Sequence, residues 1–105
     1  MVKRVVLIGG GAAGIDVLEL LLRAEADAEQ LEFTLLKKEP EGFFSSCGLP
    51  FALQGMYGIK ELVLFGSEFY IKQGIDFRTG TEATSVDLEK SMVRVDTGEE
   101  IPYDY

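Results

Sequence analysis

Residues Val2 to Ile8 (VKRVVLI) form a β-branched apolar run with no helical period, which predicts a strand buried in a sheet. From Ile15 to about Ala26 the pattern changes. Ile15, Leu18 and Leu22, with Val17 and Leu21 beside them, make a broad apolar stripe at helical spacing. Asp27 to Gln30 is polar and reads as a loop. Leu31 to Leu36 (LEFTLL) predicts a second strand, closed by Lys37, Lys38, Glu39 and Pro40. Strand, turn, helix and strand in that order predict a βαβ unit over residues 2–37.

The middle of the chain is less periodic. Residues 43–50 read as a loop followed by a short helix, Pro50 to Gln54, with Pro50 in its first turn. Ser67 predicts the N-cap of a helix over Glu68 to Gln73, stopped by Gly74. Ile75 to Arg78 reads as a short strand. Asp87-Leu88-Glu89-Lys90 and Asp96-Thr97-Gly98-Glu99 are turn signals between Thr81–Val86, Met92–Val95 and Ile101–Tyr103. They predict a three-stranded antiparallel meander within residues 81–103. The class is α/β, a parallel sheet with a meander attached.

Length and charge narrow the function. At 105 residues the chain fits one small domain. Ten Lys and Arg against 18 Asp and Glu leave a net charge of −8, which repels a polyanion and argues against nucleic acid as a partner. No apolar run approaches the ~20 residues that span a bilayer, and no secretory leader is visible, so no membrane role is expected. One Cys cannot form an internal disulfide, which points to a reducing compartment, the cytoplasm. There is no His, which removes the commonest general base and the commonest metal ligand. No metal site is expected.

Gly9, Gly11 and Gly14 match G-x-G-x-x-G directly after the first predicted strand and at the start of the predicted helix. In that context the pattern reads as a dinucleotide turn. The first glycine permits the tight turn, the second lets a pyrophosphate approach the backbone, and the third lets helix and strand pack closely. Ala12 and Ala13 open the helix, whose N–H groups would face the anion. The pattern also expects an acid at the end of the second strand, to hold a ribose hydroxyl. Lys37 stands there, followed by Lys38 and Glu39. Three readings stay open: a cation that tolerates a ribose 2′-phosphate, a Glu39 that reaches back to the ribose, or a Lys37 that is a solvated strand end. Cys47 reads either as a small buried hydrophobe or as a redox thiol at a helix start.

Phe44, Cys47, Gly48 and Pro50, in the segment Phe43-Phe44-Ser45-Ser46-Cys47-Gly48-Leu49-Pro50, carry a resemblance once set beside the glycine turn. The chain resembles the flavin domain of pyridine nucleotide-disulfide oxidoreductases. It is most similar to the branch of coenzyme A disulfide reductases, NADH oxidases, NADH peroxidases and persulfide reductases. Gly74 to Glu82, Asp96 to Glu100, and Tyr103-Asp104 are similar to the family's later segments, so the resemblance covers the whole chain. It implies a Rossmann-like FAD-binding fold and an oxidoreductase using FAD and NAD(P)H. Cys47 would be the single redox-active sulfur, acting on a small-molecule disulfide, thiol or oxygen species. Gly9, Gly11, Ala12, Ala13, Gly14, Lys37, Lys38, Glu39, Ser46 and Ala83 would contact the flavin dinucleotide.

Three positions depart from the family pattern. The strand-end Glu is Lys37, the loop's first Ser is Phe43, and the usual Asn before the Cys is Ser46. In coenzyme A reductases the thiol cofactor runs along the outer face of the first helix, where Asp16, Leu20 and Arg23 would lie. Arg23 is the candidate substrate contact there, while Asp16 would repel a pyrophosphate. The resemblance further implies a homodimer and a longer parent. The chain is then expected to be a truncated domain that runs on from Tyr103-Asp104 into a parallel strand of the sheet. On that expectation it leaves an exposed sheet edge and an apolar face.

Overall fold

The structure is a computed structural model and describes residues 2–25 and 31–105. The loop expected over Asp27–Gln30, and the helix end expected at Ala26, lie outside the described residues. Strand β1 (Lys3–Ile8), helix α1 (Ala12–Glu25) and strand β2 (Leu31–Leu36) form the βαβ unit. β1 and β2 pair in parallel from Lys3↔Leu31 to Ile8↔Leu36. Strand β5 (Asp76–Arg78) adds in parallel on the far side of β2, so the order is β1-β2-β5.

Alternation along the strands gives this sheet two covered faces. Val5, Phe33, Leu35 and Phe77 form one cluster with Ile15 and Leu18 of α1. Tyr70 joins it, its ring stacked on Phe77 with centroids 4.6 Å apart. Val6 and Leu36 face the other way, into a cluster with Val93, Val95 and Ile101. The expected apolar stripe therefore holds at Ile15, Leu18, Leu21 and Leu22, but Val17 is 45% exposed. Two residues on from Ile15, it lies on nearly the opposite side of the helix. The helix also starts at Ala12 rather than Ile15, because the turn needs only Gly9 to Gly11.

Strands β6 (Ala83–Asp87), β7 (Met92–Val95) and β8 (Glu100–Pro102) make the antiparallel meander, with both expected turns. β6 begins later than expected because the preceding backbone serves the parallel sheet. Thr81 N donates to Lys37 O at 2.9 Å and Gly80 N to Glu39 O at 3.0 Å.

The segment between the sheets departs furthest from its sequence. The expected loop at Phe43 to Gly48 contains strand β3 (Phe43–Phe44) and a 3-10 turn (Ser46–Gly48). β3 pairs antiparallel with β4 (Val63–Phe65), which follows a second 3-10 turn (Ile59–Leu62). Helix α2 spans Leu49–Leu53 with Pro50 in its first turn. Helix α3 spans Ser67–Ile71, and its cap is Gly66, not Ser67. The helix begins one residue early, which places Ser67 at its first position rather than at its cap. Gly74, at φ +84°, reverses the chain after α3 as expected, and β5 starts one residue later than Ile75.

Residues 104 and 105 lie along the outer side of β1. Asp104 N and Tyr105 N donate to Arg4 O at 2.8 and 3.1 Å, and Tyr105 O accepts from Val6 N at 3.0 Å. Donating to one residue and accepting from the residue two further on is the pattern of a parallel neighbour. Among the described residues no helix is long and apolar enough to cross a membrane.

Candidate functional site

β1 and β2 end side by side, and Gly9 N donates to Leu36 O at 2.9 Å to tie the two ends together. The glycines beyond serve different purposes. Gly9 has φ +104°, a region that penalises any side chain. A Cβ on Gly14 would overlap the carbonyl oxygen of Gly9, so Gly14 is where α1 backs onto the turn. Gly11 is required by neither reason. Its φ is ordinary and a Cβ there would meet nothing within 4 Å. The open space above Gly11 is the place a ligand backbone approach would use.

That space is part of a cavity of about 520 Å³ at the C-terminal ends of the strands. Gly9, Gly10 and Gly11 form one wall, and Lys37 and Glu39 a second. Glu41, Phe44 and Ser46 complete it. Open α/β sheets place their ligands at this end. The expected residues Gly9, Gly11, Lys37, Glu39 and Ser46 therefore converge, although they come from three separate stretches of chain.

Lys37 is not a solvated strand end. It is 4% exposed, the one charged residue among the buried described positions. Its stem lies against Gly10, and its ammonium stands 3.9 Å from Glu39 Oε2. The burial comes from two neighbours that the strand pattern does not show. One is a glycine that leaves room for the stem; the other is the meander connection, whose Thr81 N bonds Lys37 O.

Several other expected residues do not line the cavity. Ala12 and Ala13 are exposed at the first turn of α1. Lys38 points to the meander, with Nζ 3.9 Å from Glu82 Oε1. Ala83 pairs with Val95 and packs beside the Leu36 cluster. Arg23 lies in a separate groove of about 280 Å³ with Asp16, Glu19 and Leu20. That groove carries two acids against one cation. Gly10, Glu41 and Phe44 line the cavity without having been singled out for it. Gly10 stood inside the glycine run and Phe44 inside the cysteine motif, so both carried a signal.

Cys47 is exposed and lies one residue beyond the cavity-lining Ser46. It lines a second, more apolar hollow of about 430 Å³ with Ser45, Phe51, Tyr57, Leu62 and Leu64. The loop is held from behind: Ser45 N donates to Leu62 O at 2.8 Å, and Leu62 fills the space a side chain at Gly48 would need. Among the described residues no group of three His, Cys, Asp or Glu side chains is placed to hold a metal ion.

Residues 3–105 match the family described as pyridine nucleotide-disulphide oxidoreductase. The chain belongs to that family. A coenzyme A polysulfide/persulfide reductase of Pyrococcus horikoshii, named as using NAD(P)H, is 33% identical over 102 residues, which are 94% of this chain and 22% of that protein. A nitrite reductase [NAD(P)H] of Bacillus subtilis is 30% identical over 97% of this chain and 12% of its own length. Among solved structures, the NAD-dependent persulfide reductase from A. fulgidus superposes with a TM-score of 0.84 at 28% identity, over 97% of this chain and 20% of that one. The chain thus spans 22% and 12% of the length of the first two relatives' proteins and 20% of that structure.

Pyridine nucleotide-disulphide oxidoreductases are flavoproteins, and the cofactors of this family are FAD and NAD(P)H. The residues present fit a dinucleotide. Gly11 leaves open the space that a pyrophosphate would fill, and a 14-residue helix begins beside it.

Proposed function

We propose that this chain is the flavin-binding N-terminal part of an NAD(P)H-dependent oxidoreductase. Through the single thiol of Cys47 it reduces a small-molecule disulfide, persulfide or oxygen species. The observation that carries the reading is the convergence of Gly9 to Gly11, Lys37, Glu39 and Ser46 on one cavity, with Cys47 next in the chain.

In this reading Gly11 and the first turn of α1 hold the pyrophosphate, and Lys37 and Glu39 hold the adenosine end. Ser46 lies on the side of the cavity nearest Cys47. FAD held there would supply the two-electron chemistry that links oxidation of NAD(P)H to the return of Cys47 to a thiolate. Cys47 itself does the sulfur chemistry. Its thiolate attacks one sulfur of a disulfide, a new S–S bond forms to Cys47, the old S–S bond breaks, and the partner leaves as a thiolate. With a peroxide the same sulfur is oxidised to a sulfenic acid and the O–O bond breaks. The exposure of Cys47 supports attack on an external partner.

The protein is proposed to act in the cytoplasm as a homodimer. The apolar side chains Leu53, Met56, Ile59 and Leu64, each more than half exposed, support a covered surface around the cysteine loop. The test is Cys47→Ser in the complete protein. Reduction of the flavin by NAD(P)H is expected to persist while disulfide or persulfide turnover is lost. Turnover at the wild-type rate would remove Cys47 from the reaction.

A further inference from the structure

The turn from Ser45 to Gly48 borders two separate spaces. Ser46 lines the cavity of the glycine turn, whereas Ser45, Cys47 and Gly48 line the hollow of about 430 Å³. The wall that carries Cys47 is held in place. Ser45 N donates to Leu62 O at 2.8 Å, Gly48 N donates to Ser45 O at 3.2 Å, and buried Leu62 packs where a side chain at Gly48 would lie. Phe51 and Tyr57 form a second wall, with ring centroids 6.3 Å apart and planes tilted by 57°. Both rings and Leu64 are exposed although they are apolar. Among the described residues Glu61 is the one carboxylate that lines the hollow, and no Lys or Arg lines it.

We infer that this hollow receives the organic part of the substrate, and that it selects a disulfide or persulfide whose body is apolar and carries no negative charge. This rests on Cys47 as the reacting sulfur. A group delivered to Cys47 lies against Phe51, Tyr57, Leu62 and Leu64, where an apolar body gains by leaving water. An ammonium group on that body also suits the site, since Glu61 attracts it and aromatic faces accept a cation. A carboxylate, sulfonate or phosphate is turned away. It would give up hydration, meet Glu61 and find no cation in the lining to pair with. Arg23 offers an anionic carrier no better reception, because its groove also holds Asp16 and Glu19.

Methanethiosulfonates test the selection, because they share one leaving group and differ in the group they deliver. The Cys47 thiolate attacks the sulfenyl sulfur, an S–S bond to Cys47 forms, the bond to the sulfonyl sulfur breaks, and methanesulfinate leaves with the electron pair. The complete protein is treated with the benzyl, methyl, trimethylammonioethyl and sulfonatoethyl reagents. Mass spectrometry of the peptide that carries Cys47 gives each rate, divided by the rate in urea-unfolded protein. The benzyl and trimethylammonioethyl reagents are expected to run at least about fivefold ahead of the sulfonatoethyl one. Glu61→Gln, at an exposed position, is expected to close the gap between cation and anion. Leu64→Ser, also exposed, is expected to slow the benzyl reagent several-fold relative to the methyl one. Equal rates for the four reagents, or a lead for the sulfonatoethyl one, would overturn the selection while leaving Cys47 as the reacting sulfur. A gap unchanged in Glu61→Gln would belong to the net charge of −8 and would overturn it as well. No labelling of Cys47 by any of the four in the folded protein would overturn the thiol reading itself.

Discussion

The stem of Lys37 occupies the space that a side chain at position 10 would need, its Cδ 2.6 Å from where a Cβ on Gly10 would sit. This accounts for a glycine that the G-x-G-x-x-G pattern leaves unspecified. It also predicts coupling between the two sites. Gly10→Ala is expected to cost about 1–3 kcal/mol by overpacking. In a Lys37→Ala background the same change is expected to cost less, because the obstructing stem is gone and Leu35 Cδ2, 3.3 Å from the added Cβ, is the tight contact that remains. Urea unfolding of the four proteins measures the cycle, and additive costs would contradict the contact.

The other glycines of the turn separate in the same way. Gly14→Ala forces a methyl group into the backbone of Gly9, and is expected to cost about 3 kcal/mol or prevent folding. Gly11 faces open space and precedes α1, so Gly11→Val is expected to stay within about 1 kcal/mol of wild type. Equal losses in the two variants would contradict the assigned roles.

Asp104 predicts a pH dependence. The Arg4 backbone amide, 2.7 Å from Asp104 Oδ2, and then the Arg4 guanidinium hold this carboxyl below its ordinary value. A carboxyl with a depressed folded-state pKa contributes stability above its unfolded pKa and loses it as pH falls through the folded one. The stability gap between wild type and Asp104→Asn is therefore expected to be full at neutral pH and to close only in acid, below the ordinary carboxylate range. Urea midpoints measured against pH read this directly. A gap that widens in acid would reverse the sign.

Cys47 is exposed, so iodoacetamide is expected to alkylate it in the folded protein without denaturant. The proposed site places it beside bound flavin, so saturating FAD is expected to slow the labelling several-fold. Mass spectrometry after timed labelling reports both. Identical rates with and without FAD would separate the thiol from the cofactor.

The parts readable in the sequence were those that rest on local pattern. The switch from the apolar run at Val2–Ile8 to the helical stripe at Ile15, Leu18 and Leu22 marks the βαβ unit, and the Asp87 and Asp96 turns mark the meander. Pairing of Phe43–Phe44 with Val63–Phe65 left no such mark, because two-residue strands have no period and their partner lies far along the chain. The glycine turn and cysteine loop were readable as motifs. Their convergence was not, because Ser46 reaches the cavity only through the support of Leu62 behind the loop. Burial of Lys37 depends on an absent side chain at Gly10 and on backbone bonds to Arg78 O and from Thr81 N, which strand periodicity does not encode.

The most direct test of the dinucleotide site is calorimetric titration of FAD into wild type and Gly11→Val, with circular dichroism to confirm that both are folded. Wild type is expected to bind one FAD, and Gly11→Val to lose at least about a hundredfold in affinity, because the added side chain takes the space left open for the pyrophosphate. FAD bound equally tightly by a folded Gly11→Val protein would contradict the assignment of the turn, and with it the site built around Lys37, Glu39 and Ser46.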